Sequence, residues 1–173
     1  MTNIFSYYFH ADLIRYGNKS IFSWGGVFSY LFRKSQISGN LCWRGLFYLF
    51  RLMFHLEISP KTNIGKGLYV GHPYGITINA EAVIGENCNI HKGVTIGQEN
   101  RGKRKGVPTI GNRVWIGINA VVVGKITIGN DVLIAPLAYV NFDVPDHSIV
   151  IGNPGKIISR ENATEGYINR TVQ

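Results

Sequence analysis

From Ile58 onward an aliphatic residue returns at every sixth position. Ile58, Ile64 and Val70 form one run, Ile78, Ile84, Ile90 and Ile96 a second, and Ile110, Ile116, Val122, Ile128, Ile134 and Val140 a third. Glycine follows many of them, as at Gly65, Gly85, Gly111 and Gly129, and the residue four places on is small or apolar, as at Thr62, Leu68, Ala82, Cys88, Val94 and Ala120. A helix would space its apolar residues by three and four, and a hairpin sheet would not hold one long period. Two inward positions in six describe a short strand and a corner. The chain therefore reads as mainly β, a parallel β-solenoid with three strands per coil of about 18 residues, stacked roughly 4.8 Å apart.

Two breaks in the period supply what a smooth prism lacks. Val70 to Ile78 is two residues too long, which expands the corner Gly71-His72-Pro73-Tyr74-Gly75, and Ile96 to Ile110 extrudes a loop over residues 98–109. Both carry polar chemistry. The formal net charge of +8 concentrates in this loop, which has four basic residues and one acidic, and in residues 1–57, which have six and two. A polyanionic partner or a phosphorylated ligand is the expectation from such a balance.

Residues 1–57 hold 15 of the 21 aromatic residues and no six-residue period, so they form a separate helical segment. In the stretch 41–56, Arg44, Tyr48, Arg51 and His55 share one helical stripe with apolar residues around the rest, after a start signal at 38–40. The apolar face is expected to pack on the solenoid or another subunit, with peripheral membrane contact as the second reading. No nucleic-acid motif is present. The apolar runs are too short to span a bilayer, the beginning of the chain makes a poor signal peptide, and Cys42 and Cys88 form no metal or disulfide pattern, so the cytoplasm, including the inner membrane face, is the expected setting.

The tandem (Ile/Val)-Gly-x-x-(small)-x units resemble the hexapeptide-repeat acyltransferases. That likeness implies a left-handed parallel β-helix, a hand that general experience with parallel crossovers would not have supplied. Over residues 56–158 the order GHPYGITIN, NIHKGVTIG, a loop ending in Pro, VPTIGNRVWIGINAVVVGKITIGNDVLIAP and VPDHSIVIGNPGKII resembles the serine acetyltransferase group, including relatives that acetylate surface polysaccharides. The implied organisation is a helical segment at 1–57, a β-helix domain at 58–158 and a tail at 159–173. The implied donor is acetyl-CoA, with no metal, and the implied assembly is a homotrimer.

Acetyl transfer from a thioester to a hydroxyl needs a base for the hydroxyl proton and donors for the oxyanion. His72 on the expanded corner matches the family's catalytic histidine. Glu57 lies one coil before it and should point outward, since Ile58 points inward; it stands where the family keeps an Asp, and is the candidate to orient the imidazole. His91, Tyr74 and Gly71 are the candidate acceptor contacts. By resemblance, Gly97, Asn119, Ala120, Ala135, Pro154 and Lys156 match positions along the coenzyme A groove, and Arg101 and Lys103 of the loop are cations for its phosphates.

Two departures bear on the acceptor. Gly71 stands where serine acetyltransferases place Asp, and Gly106-Val107-Pro108 where their loop ends in Arg-His-Pro. The sequence therefore favours a sugar hydroxyl of a surface polysaccharide, with L-serine as the alternative and a non-catalytic scaffold as the third reading.

Overall fold

In a computed structural model, residues 4–17 and 21–173 are described. Three helices precede the solenoid, α1 (Ile4–Arg15), α2 (Trp24–Ile37) and α3 (Leu41–Phe54). The Ser23 hydroxyl caps α2 by accepting from Gly26 N, and Asn40 Oδ1 caps α3 by accepting from Cys42 N.

The strands are then dealt in rotation to three sheets. The first contains β1 (Glu57–Ile58), β4 (Thr77–Ile78), β7 (Thr95–Gly97), β10 (Val121–Val123) and β13 (Tyr139–Val140), one per turn. The second stacks β2 (Asn63–Ile64), β5 (Val83–Ile84), β8 (Thr109–Ile110) and β11 (Thr127–Ile128). The third stacks β3 (Tyr69–Val70), β6 (Asn89–Ile90), β9 (Val114–Ile116), β12 (Val132–Ile134), β14 (Ser148–Ile151) and, antiparallel at its end, β15 (Lys156–Ser159).

The register follows the repeat and its two breaks. Ile58 pairs with Ile78, Ile78 with Ile96, Ile96 with Val122 and Val122 with Val140, so successive coils are 20, 18, 26 and 18 residues long. All thirteen repeat positions are buried, and so are the small positions four residues on, Cys88 among them.

The helices close the open end of this stack. A first coil presents unpaired backbone groups, and side chains of α1 and α2 satisfy them. Arg33 donates to Ile64 O at 2.9 Å and to Gly65 O at 2.6 Å. Asp12 accepts from Leu68 N at 2.9 Å, and Tyr16 Oη accepts from Val70 N at 2.9 Å. Arg15 donates to Gly67 O at 3.1 Å. Two of the six basic residues in this segment are thus buried cappers.

α3 packs through its aromatic side, which joins the common core with the first coil. Its inner residues Phe47 and Phe50 meet Phe28 of α2 at ring distances of 6.1 and 6.4 Å, while Leu41, Leu46, Leu49, Leu52 and Met53 stay exposed. The face that packs is aromatic and faces α2; among the described residues most of the aliphatic face stays exposed.

The final residues fold back rather than trail away. Outward positions of the third sheet form a largely apolar ladder, Tyr69, Asn89, Trp115, Leu133 and Ile149, and the tail lies along it. Asp131 accepts from Ala163 N and Thr164 N, Asn89 donates to Tyr167 O, and Asn87 exchanges bonds with Val172.

Candidate active site

The corner that leads from the third sheet to the first recurs once per coil, and most of the candidate residues fall on it. Gly93 N donates to Tyr74 O at 3.0 Å, Asn119 N to Lys92 O at 3.1 Å, Leu137 N to Ile118 O at 2.9 Å, and Tyr139 N to Gly152 O at 3.0 Å. This ladder stacks His72 and Tyr74, His91, Asn119, Ala135 and Pro154 along one edge of the prism, with Lys156 just beyond. Five coils at roughly 4.8 Å give that edge a length of about 20 Å.

Two-residue expansion of the first corner lifts His72 out of the stack. Pro73 is buried beneath it while His72 and Tyr74 are exposed. Gly75 takes a positive φ of 63°, which lets the chain rejoin the regular register. The far side of the corner is held by α3, since Gly75 N donates to Phe54 O at 3.0 Å and the His55 ring packs on Tyr74 at 5.4 Å.

Glu57 is exposed at the start of β1 and pairs with Thr77, the strand position that follows the His72 corner. It shares the edge with His72. Among the described residues no side-chain hydrogen bond joins the two; Glu57 N donates to Ile76 O at 2.9 Å and Tyr74 N to His72 O at 2.8 Å.

His91 lies one coil on. Its pKa is pushed down, chiefly by burial and further by the neighbouring His72, so the neutral imidazole is favoured. Its Nε2 is buried and has no hydrogen-bond partner among the described residues, and its ring packs on Trp115 at 4.8 Å. It borders a cavity of about 240 Å³ lined also by Arg15, Tyr69, Trp115 and Tyr167. A second cavity, of about 380 Å³, opens at His72 between Trp24, Tyr69 and Gly71. The Tyr16 and Tyr69 rings, 4.8 Å apart, border both.

Other candidates are placed elsewhere. Gly97 ends β7, and Arg101 and Lys103 lie exposed in the extruded loop at the next edge, between the first and second sheets. One chain does not bring them to His72. Ala120 is fully buried, with its N–H bonded to Gly117 O and its carbonyl to Thr95 N, so it offers no free group to a ligand. Tyr69, Trp115 and Tyr167 were missed from the sequence. The first two could have been found, because each directly precedes an inward repeat residue and must therefore face out.

The family described as bacterial transferase hexapeptide (six repeats) matches residues 108–141. A serine acetyltransferase of Helicobacter pylori is 39% identical over 118 residues, which cover 68% of this chain and 69% of that protein. The chain belongs to the serine acetyltransferase family of hexapeptide-repeat transferases. The family repeat makes the β-helix left-handed. A relative from Synechococcus elongatus is 38% identical over 117 residues, and there the match spans about half of the relative's length, 48%, against 68% of this chain. Among solved structures, the Neisseria gonorrhoeae serine acetyltransferase in complex with serine superposes with a TM-score of 0.72 at 28% identity, over 90% of this chain and 69% of that one. The soybean apoenzyme gives 0.74 at 27% identity, over 89% and 69%.

Among the described residues no three His, Cys, Asp or Glu side chains gather as a metal site. Among the described residues no helix is long and apolar enough to cross a membrane.

Proposed function

We propose that this chain is an acetyl-CoA-dependent O-acetyltransferase in which His72 is the general base. The observation that carries the reading is the lifted corner, which exposes His72 at the head of an edge that stacks His91, Asn119, Ala135 and Pro154. The imidazole takes the acceptor hydroxyl proton as the oxygen attacks the thioester carbonyl. The oxyanion then collapses, the C–S bond breaks, and the thiolate of coenzyme A recovers the proton. Glu57, on the same edge, is the candidate to fix its orientation.

L-serine is the acceptor that the relatives support, ahead of the surface sugar favoured by the sequence alone. A sugar hydroxyl remains as a second reading because of one observation. Among the described residues the cavity at His72 is lined by Tyr16, Trp24, Tyr69 and Gly71, with no carboxylate, lysine or arginine for the charges of an amino acid. Thiol release from acetyl-CoA, followed with L-serine and with a panel of hexoses and amino sugars, separates the two. Efficient turnover of L-serine rejects the sugar, and no release with any hydroxyl compound rejects acetyl transfer in favour of a scaffold.

The reading includes a homotrimer. Arg101 and Lys103 lie on a different edge from His72 within one chain, and threefold packing of prisms would set the loop of one copy against the site edge of the next. Sedimentation of a monomer at micromolar concentration would leave the loop without that role.

A further inference from the structure

α3 is apolar on two opposite sides. Phe47 and Phe50 point inward against α2, yet Leu41, Leu46, Leu49, Leu52 and Met53 point outward with exposures of 80, 48, 59, 55 and 67%. A face of five large aliphatic side chains turned to water marks a contact surface. One flank is basic, with Arg44 exposed and Arg51 half-buried along it. Residues 13–56 contain no Asp or Glu at all.

This charge pattern selects the occupant. Two copies meeting through α3 would bring their arginines together with no carboxylate from this segment to pair them. A bilayer carrying anionic lipids supplies both hydrocarbon for the leucines and phosphates for the cations. At 14 residues the helix is about 21 Å long, too short to span, so it would lie in the plane of the surface.

We propose that the outer face of α3 docks on an anionic lipid bilayer. The contact is independent of acetyl transfer, although α3 ends against the His72 corner, where Phe54 O and His55 hold Gly75 and Tyr74. Docking there places the corner beside the surface.

Co-sedimentation of the full chain with vesicles tests it, using phosphatidylglycerol mixed with phosphatidylcholine against phosphatidylcholine alone. The expected result is on the order of tenfold tighter binding to the anionic vesicles, and loss of that binding by a similar factor in Leu49→Glu/Met53→Glu. Both replaced residues are exposed, and circular dichroism checks that the variant keeps the wild-type fold. Equal recovery with and without vesicles overturns the proposal, as does binding that the double variant retains. A wild-type assembly that ignores vesicles and falls to a smaller species in the variant would assign the face to a second copy of this chain, which also overturns it.

Discussion

Arg33 donates to both carboxylate oxygens of Asp12, at 2.8 and 3.2 Å, with neither side chain exposed to solvent, and gives its remaining N–H groups to Gln36 Oε1 and to the carbonyls of Ile64 and Gly65. The pair therefore ties α1, α2 and the first coil together at one point. Asp12 also receives Leu68 N, so each partner satisfies backbone groups that the sheet leaves unpaired at its edge.

Breaking such a pair from one side strands a buried charge, which costs about 3–5 kcal/mol. Arg33→Ala or Asp12→Ala is expected to lower Tm by about 6–20 °C for a chain of this size, measured by calorimetry. Replacing both with apolar residues, as in Asp12→Leu/Arg33→Met, should cost less than the two single losses added together. A double variant as unstable as that sum would show that the bonds to the coil, and not the buried charges, set the penalty.

On the proposed function, His72→Ala removes the base that acts on the acceptor proton and leaves the donor's binding groups in place. Turnover should fall by about 10²–10⁴, with acetyl-CoA affinity nearly unchanged by calorimetry. Glu57→Gln keeps the shape and removes the charge, so it should cost less than His72→Ala. If His72→Ala retains turnover, His91 becomes the candidate, because it is the neighbouring imidazole on the same edge.

The two thiols should differ sharply. Cys88 lies in the core and burial pushes its pKa up to about 12, whereas Cys42 is exposed on α3. The thiolate is the reactive form. Under native conditions iodoacetamide should modify Cys42 alone, with Cys88 reacting only after denaturation, and mass spectrometry of the intact chain reads the count. Two adducts on folded protein would mean that the solenoid opens at the coil carrying Ala82 and Cys88.

The repeat made the solenoid legible because a strand-and-corner period of six has no competing interpretation, and each departure from it reappears as a coil of 20 or 26 residues. The expanded corner that exposes His72 was legible for the same reason, since it is an insertion. The capping helices were not. Asp12 and Arg33 look like ordinary surface charges in a sequence, and only the open end of a sheet gives them partners. The docking of the 159–173 tail was also not foreseen, although Tyr69, Trp115, Leu133 and Ile149 at outward positions already signalled that the third sheet needed a cover. Arg101 and Lys103 fell on another edge because spacing along the chain says which coil a loop leaves, but relating separate edges requires a second subunit.

The tail is held at a titrating junction, which gives its docking a defined pH window. Burial works to raise the Asp131 pKa, but bonds from Thr164 and His147, with the Thr164 and Ala163 N–H groups, outweigh it and hold the pKa below 3.8. His147 is raised above 6.5, chiefly by its 2.9 Å bond to Asp131 and further by Glu161. A depressed carboxylate stabilises the docked tail above its unfolded pKa, and this contribution is lost as pH falls through the lower folded value. A raised imidazole stabilises it fully below 6.5 and ceases to do so as pH rises through the higher folded value. Amide exchange at residues 160–168, corrected for intrinsic rates, should therefore be slowest from about pH 4 to 6.5 and faster on either side. His147→Ala should abolish the alkaline loss and leave the acid one, because the Thr164 and Ala163 bonds to Asp131 persist without the imidazole. An unchanged alkaline limb in that variant would remove His147 from the junction and assign the whole pH response to other groups.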